Sequence, residues 1–253
     1  MSSTKIPDTF VIPPLEVNID FGAGLGGGGF GTVYQGHWRG HLVAVKVLEK
    51  GLPSKVTSCN DRYTFSDLTY RVQLLQREVD VWKNLRHPNI LEFYGVCTTA
   101  NPPFLVSALK REGHALDYIE NHPDANRLRI FYEVSLGLSY LHAHSIIHGD
   151  LKAMNILVDE RGSACLSDFG LSRVRKHSIS TLRPASNQTP QGTLRWMAPE
   201  QMSRGVTNKM SDVYSFGMTM YEASISFCNL MFHHSILVFN TASHWRGSFR
   251  QSS

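Results

Sequence analysis

Apolar positions recur along this chain first in steps of two and later in steps of three and four, which predicts strands followed mainly by helices. Residues 1–18 are polar and proline-marked, with Pro13-Pro14, and read as a loose lead-in. The stretch FGTVYQGHWRGHLVAVKVL, residues 30–48, is rich in β-branched and aromatic side chains, and Gly36, Arg39 and Gly40 supply a turn, so it predicts a hairpin. In its second run Val43, Val45 and Val47 point to one side and Ala44, Lys46 and Leu48 to the other, because side chains alternate along a strand. One lysine therefore stands on an otherwise apolar face. The polar stretch 50–66 reads as a surface loop. Helical spacing follows in RVQLLQREVDVWKNLRHPNI, where Leu74, Val81 and Leu85 share a stripe on which Glu78 also falls. A carboxylate there wants a buried partner. RLRIFYEVSLGLSYLHAH repeats the helical pattern through Phe131, Val134, Leu138 and Leu141. NILVD and ACLSD, separated by Glu160-Arg161-Gly162, predict a small hairpin closed by Asp168. Residues 172–193, rich in Ser, Thr, Arg and Lys, predict a mobile surface loop, and KMSDVYSFGMTMYEAS predicts a buried helix. No internal repeat or heptad pattern interrupts this α+β order.

Composition narrows the class. A chain of 253 residues that is 42% hydrophobic and 18% charged can bury one large core or two modest ones. Cys59, Cys97, Cys165 and Cys228 show no CxxC spacing, which argues against a disulfide framework or a zinc site and for reduced thiols in the cytoplasm. His142, His144 and the pair His233-His234 are not at metal-ligand spacings. MSSTKIPDTF has no apolar core behind a basic start, and no window reaches the run of about 20 apolar residues that spans a bilayer. Secretion and membrane insertion are therefore not expected. A net charge of +4 is carried by dispersed Lys and Arg, so nucleic acid is not an expected partner either.

Two stretches carry candidate chemistry. HGDLKAMN, residues 148–155, sets a carboxylate, an ammonium and an amide close together at Asp150, Lys152 and Asn155, as a solvated turn also can. GAGLGGGGFG, residues 22–31, fits a GxGxxG pattern in three registers, as a flexible glycine linker also would. A dinucleotide fingerprint would open into a helix, whereas this run leads into a hairpin, and a Walker loop would need a lysine that Gly31-Thr32 lacks. In the third register Gly26, Gly28 and Gly31 would let backbone amides lie close over phosphates while Val33 packs on a base.

Taken in order from about residue 19 to residue 223, these motifs resemble the protein kinase family. The glycine pattern is GGGGFGTVY, the VAVK strand ends in Lys46, and Glu78 precedes LRHPNI. HGDLKAMN matches the HxDLKxxN loop, and Asp168-Phe169-Gly170 and Ala198-Pro199-Glu200 complete the set. The resemblance implies an α+β, two-lobed protein kinase-like fold with a small β-rich N-lobe at about 19–107, a hinge at about 108–113 and an incomplete, mainly helical C-lobe at 114–223. It also implies ATP and Mg²⁺ as cofactors and protein Ser/Thr hydroxyls as substrate, in a signalling role. Asp150 would accept the substrate proton, Lys152 would face the transferred phosphoryl oxygens, and Lys46 would grip the α- and β-phosphates, held by Glu78. Asn155 and Asp168 would bind Mg²⁺. Gly26, Gly28, Gly31, Val33, Ala44 and Lys46 are the implied nucleotide positions. They are joined by Ala108 and Lys110 in the hinge stretch LVSALKR, where Ser107 guards the back pocket. Lys152 and Gly192-Thr193 look like the Ser/Thr type, while RWMAPE and SDVYSFGM are similar to the tyrosine-kinase-like branch. No oligomeric state is implied.

The chain departs from the family pattern at three places. Gly149 replaces an arginine that in many kinases binds a phosphorylated loop, so phosphate-to-arginine switching there is not expected, and Ser178, Ser180, Thr181, Ser186 and Thr189 read as a solvated loop, with phosphorylation of these positions as the alternative. The loop between Lys46 and Glu78 is long. Residues 224–253 follow no family pattern, which leaves Glu200 without its usual arginine unless Arg246 or Arg250 stands in. Three expectations follow: a working Ser/Thr kinase, an ATP-binding regulatory module, or a shortened product that does not stay folded.

Overall fold

The β-branched run from Thr32 to Val47 folds back on itself in the computed structural model, which describes residues 6–28, 31–48, 75–76, 78–169, 173–174 and 194–224. Strands β2 (Gly31–Trp38) and β3 (His41–Val47) meet at Arg39 and Gly40, whose φ angles of 50° and 82° are the left-handed pair that a two-residue hairpin turn needs to match strand twist. Gly36 is not part of that turn. It lies inside β2 opposite Val43, where a Cβ would press on Asn18 O and the Val45 side chain, so the strand needs its small size. β1 (Val17–Gly28) runs antiparallel to β2, with Gly28 opposite Gly31 and register shifts between Asp20 and Gly26. With β4 (Phe93–Cys97) and β5 (Phe104–Ala108) the order of the sheet is β1-β2-β3-β5-β4.

The alternation along β3 divides two cores. Val43, Val45 and Val47 are buried on the outer face with Ile12, Val17, Cys97, Phe104 and Val106. Each fully buried valine is worth roughly 1.5–3 kcal/mol, against about 0–1 for an exposed ion pair such as Arg111 with Glu160, so the apolar face decides the strand register. The inner face joins a larger cluster through Leu105, Phe93 and helix α1, residues 75–82 with position 77 not described. Val81 and Leu85 are buried as the spacing predicts, but Leu75, Val79 and Trp82 form a second buried stripe, so the helix is enclosed on more than one side.

The described residues beyond β5 are mainly helical. β6 (Gly113–His114) leads into α2 (Ala115–Asn121) and α3 (Arg127–Ala143), which buries Ile130, Val134, Leu138 and Leu141. The Asn126 side chain accepts the Arg129 amide and so caps α3. β7 (Ile146–Ile147), β8 (Ile156–Val158), β9 (Ala164–Leu166) and β10 (Arg173–Val174) form the short sheets β6-β8-β9 and β10-β7. The predicted hairpin of NILVD and ACLSD is β8 with β9. α4 (Pro199–Arg204) starts at the Ala198-Pro199-Glu200 motif, and α5 covers residues 209–224. The two halves are joined where Leu166 N donates to Asn89 O (3.0 Å) and Leu91 N to Leu166 O (2.8 Å). The α+β, two-lobed kinase-like architecture is thus present, a five-stranded antiparallel lobe followed by a helical one.

Two expectations are corrected. Residues 6–16 are not loose: the single 3-10 turns Asp8–Phe10 and Pro14–Glu16 lay them along β4, Ile12 N donates to Val96 O (2.9 Å), and Ile6 and Ile12 are buried. α5 is not buried through its large residues. It buries Ser211, Asp212, Ser215, Thr219 and Ala223 and turns Met210 (72% exposed) and Tyr221 (61%) outward. Hydrogen bonds make that polar face fit for burial, as Ser215 Oγ donates to Ser211 O and Trp196 O, and Thr219 Oγ1 to Ser215 O. Phe30, the loop 50–66, Leu74, Gly170, Gly192-Thr193, the five Ser/Thr positions from 178 to 189 and the tail from 225, with Arg246 and Arg250, lie outside the described residues. Among the described residues no helix is long and apolar enough to cross a membrane.

Candidate active site

The lysine on the apolar strand face has its partners. Lys46 points to the inner side of β3, and its Nζ lies 2.9 Å from Glu78 Oε1 on α1 and 3.0 Å from Asp168 Oδ1 just beyond β9. Burial alone would lower the lysine pKa, but the two carboxylates outweigh it and hold the ammonium above its usual range. Glu78 is pushed above the usual carboxylate range by burial, with the neighbouring Asp168 adding to the effect against the pull of Lys46. Both carboxylates thus meet at one ammonium, which ties β3, α1 and the end of the β8–β9 hairpin together. Asp168 itself holds a φ of 60°, uncommon for a residue with a side chain and a mark of a position fixed by its surroundings.

The second cluster is local. Asp150 Oδ2 accepts from Lys152 Nζ at 2.9 Å and from Asn155 Nδ2 at 3.2 Å, while Asn155 Nδ2 also donates to Asp150 O at 2.6 Å. Asp150 Oδ1 is buried and has no hydrogen-bond partner among the described residues. An orphaned acceptor of that kind is expensive unless something else uses it, and an incoming hydroxyl is the simplest donor. The backbone under this cluster is held by Asp212 of α5, only 1% exposed, whose oxygens accept His148 N and Gly149 N, both at 2.9 Å, with His142 Nε2 2.8 Å away. Gly149 has a φ of 82°, so glycine suits the backbone at the position where the family often has arginine. At the far end Glu222 Oε2 accepts Ala153 N (3.2 Å) and Trp196 Nε1 (2.9 Å), and burial raises its pKa.

The clusters meet through Ser167, which precedes Asp168. Its amide and its hydroxyl both donate to Asn155 O, at 2.9 and 3.1 Å, and its carbonyl lies 3.1 Å from His148 Nε2. Since His148 Nδ1 accepts the Asp150 amide at 3.3 Å, Nε2 is the nitrogen that carries the proton. Asp150, Lys152, Asn155, Asp168, Lys46 and Glu78 therefore form one connected site.

The nucleotide positions inferred from the sequence fall around it. Val33 pairs across the strands with Lys46 and Gly26, and Ala44 with Ser107, so these residues share the inner face of the sheet. Gly31 has a φ of 154°, and a Cβ there would collide with Val47 O, so only glycine lets the start of β2 lie this close to the end of β3. Gly28 closes the described part of β1. Ala108 N donates to Glu92 O at 3.0 Å, which leaves its carbonyl as the group it can offer a ligand. The Lys110 side chain is turned to Asp159, 3.3 Å away, so only its backbone fits the hinge role.

With its amide nitrogen spent on Asp150, Asn155 has an oxygen to offer, and Asp168 has carboxylate oxygens; both suit a hard cation such as Mg²⁺. Among the described residues no group of three or more His, Cys, Asp or Glu forms a metal site, so a cation here would fill its shell with ligand oxygens and water. Sequence reasoning did not single out Asp212, Ser167, His148 or Glu222. The available signals were the histidine that opens the HxDLKxxN pattern and, in α5, an aspartate and a glutamate in a stretch read as buried.

Comparison with known proteins agrees with this geometry. The family profile described as protein tyrosine and serine/threonine kinase matches residues 19–232. The chain is 36% identical over 226 residues to serine/threonine-protein kinase CTR1 of Arabidopsis thaliana, covering 85% of this chain and 25% of that protein. It is 34% identical over 222 residues to the probable serine/threonine-protein kinase drkD of Dictyostelium discoideum, covering 85% and 16%. Over 204 residues it is 33% identical to human protein-tyrosine kinase 6, covering 78% and 41%. It thus spans a quarter or less of the first two relatives and under half of the third. The matched range takes in both lobes and every residue of the two charged clusters, and on that ground the chain belongs to the protein tyrosine and serine/threonine kinase family.

Proposed function

We propose that the chain transfers the γ-phosphate of ATP to serine or threonine hydroxyls of protein substrates, as part of signalling in the cytoplasm, with neither nucleic acid nor a membrane as partner. The catalytic domain on this reading is 19–223, preceded by residues 1–18 and followed by a divergent tail at 224–253. The family to which the chain belongs generally uses ATP and Mg²⁺, and its members act on proteins. The observation that carries the reading is the buried, unpartnered Asp150 Oδ1 beside the Lys152 ammonium, an acceptor for a hydroxyl proton next to a cation for phosphoryl charge. Lys46 would hold the α- and β-phosphates in place, kept in position by Glu78, under the backbone of Gly26, Gly28 and Gly31. Val33 and Ala44 would pack on the base, and the backbone of Ala108 and Lys110 would meet its edge. Asn155 and Asp168 would hold Mg²⁺, whose role when bound is to neutralise phosphate charge. Ser/Thr preference is supported by Lys152 two residues after Asp150 and by the names of the plant and amoebal relatives, while the human relative is named a tyrosine kinase. The cytoplasmic setting is supported by Cys97 and Cys165, which are free thiols.

The test is transfer from γ-labelled ATP with Mg²⁺ to a mixture of Ser-, Thr- and Tyr-containing peptides, followed by phosphoamino-acid analysis. Labelled phosphoserine and phosphothreonine are expected, and label confined to tyrosine would overturn the specificity. Binding of Mg-ATP without any transfer would favour the regulatory-module reading.

A further inference from the structure

Residues 6–16 precede the family match, which begins at 19, yet they are built into the lobe that holds Glu78. Ile12 N donates to Val96 O, Val11 bridges Val96 in parallel, Ile12 enters the outer core, and Ile6 enters the inner core with Trp82, Phe93 and Phe169. β4 accommodates the segment because position 95 is glycine: a Cβ there would lie 2.7 Å from the Ile12 side chain and from Phe10 O. Phe10 then stacks on Phe93, with ring centroids 5.6 Å apart and planes 28° from parallel. The column continues from Phe93 to Trp82 (5.1 Å), from Trp82 to Phe169 (5.4 Å) and from Phe169 to His148 (5.7 Å).

Each member of this column stands beside a functional group. Trp82 is one helical turn beyond Glu78, Phe169 follows Asp168, and His148 accepts the Asp150 amide. Trp82 is also pinned by Nε1 donating to Leu91 O at 2.6 Å, so its ring has one orientation in which to meet Phe93. The column therefore joins both carboxylates that grip Lys46 to a segment that the rest of the family match does not include.

We propose that residues 6–16 act as a built-in strap, with Phe10 as a positioning residue. By closing the column on Phe93 it holds Trp82, and through it the helix of Glu78, in the orientation that keeps Lys46 paired. The proposal deepens the kinase reading and rests on it only for its effect on catalysis. Without the Phe10 ring, Phe93 loses a stacking partner and α1 loses a restraint, so Lys46 spends more time unpaired.

The experiment reads Lys46 directly in the full chain without nucleotide. Acylation of its amine by a water-soluble N-hydroxysuccinimide ester is followed by mass spectrometry, with the hinge residue Lys110, ion-paired to Asp159 of the other lobe, as internal reference. Phe10→Ala is expected to raise the Lys46 rate several-fold relative to Lys110, and Phe10→Trp to restore it. Gly95→Ala, which leaves every ring of the column in place but crowds the strap, is expected to reproduce Phe10→Ala. In a Glu78→Gln background the effect of Phe10→Ala should disappear, since the strap acts through Glu78. If turnover is present, kcat/KM for ATP falls roughly tenfold in Phe10→Ala while KM for peptide holds. An unchanged Lys46 rate in both Phe10→Ala and Gly95→Ala, or an equal rise at Lys46 and Lys110, overturns the strap and leaves the segment as cover for β4. A chain that acylates as expected but transfers no phosphate refutes the kinase reading and leaves the strap standing.

Discussion

Asp150, Lys152 and Asn155 sit within six consecutive residues, whereas Lys46 meets Glu78 across 32 positions of sequence and Asp168 across 122. The local cluster is held from beneath by two successive amides that donate to one buried aspartate, so its geometry follows from the backbone of a short loop on that anchor. The distant cluster exists only when a strand, a helix and the end of a hairpin are all in place. The same chemistry is thus divided between a part preset by chain proximity and a part that reports how the lobes are assembled.

Mutations on the two sides should separate accordingly. The largest effect is expected from Asp150→Asn, which should lower phosphoryl transfer by about 10²–10⁴-fold while leaving the Mg-ATP-induced rise in melting temperature intact. Lys46→Met should lose both the transfer and the thermal shift, and equal loss of nucleotide binding in the two variants would break the comparison. Asp212→Ala should come next in size. It strands the buried amide of His148 at about 1–3 kcal/mol and the half-buried amide of Gly149 at less, a loss that denaturant unfolding would measure. An Asp212→Ala chain of unchanged stability would mean that the local cluster does not depend on α5. The smallest effect concerns Cys165, whose thiol burial pushes up to about 12. Peptide mapping should therefore find Cys165 of the folded protein unmodified by iodoacetamide at pH 8 and alkylated only after unfolding. Because the unfolded thiol ionises near 9.0 and the folded one near 12, its contribution favours the fold below 9.0 and is lost as pH rises between the two.

Much of this arrangement was legible in local periodicity. The two-residue alternation of Val43, Val45 and Val47 put Lys46 on the opposite face, and the helical stripe put Glu78 indoors, so each was a charge in need of a partner. What periodicity does not carry is the identity of the surface that receives a face. Ile6, Phe10 and Ile12 were invisible as a buried set because Pro7, Pro13 and Pro14 break any period around them, and their site exists only where Gly95 opens β4. Gly36 resembled a turn residue because a glycine packed against a neighbouring strand and a glycine at a bend look alike in sequence. In α5 the sequence predicted a buried helix without saying which face goes in, and hydrogen bonding let Ser211, Asp212, Ser215 and Thr219 take the inward place while Met210 and Tyr221 face out. Asp212 was hidden for the same reason, since its value lies in two amides some 60 residues earlier.

That anchoring by Asp212 has a consequence on the clock of solvent exchange. Loop amides usually trade their hydrogens for deuterium quickly, because nothing but water binds them. The hydrogens of His148 and Gly149 are instead buried against a helix carboxylate, so they can leave only when α5 draws away from the loop. Their exchange times would measure how often the floor of the candidate site opens, independently of whether any nucleotide is bound.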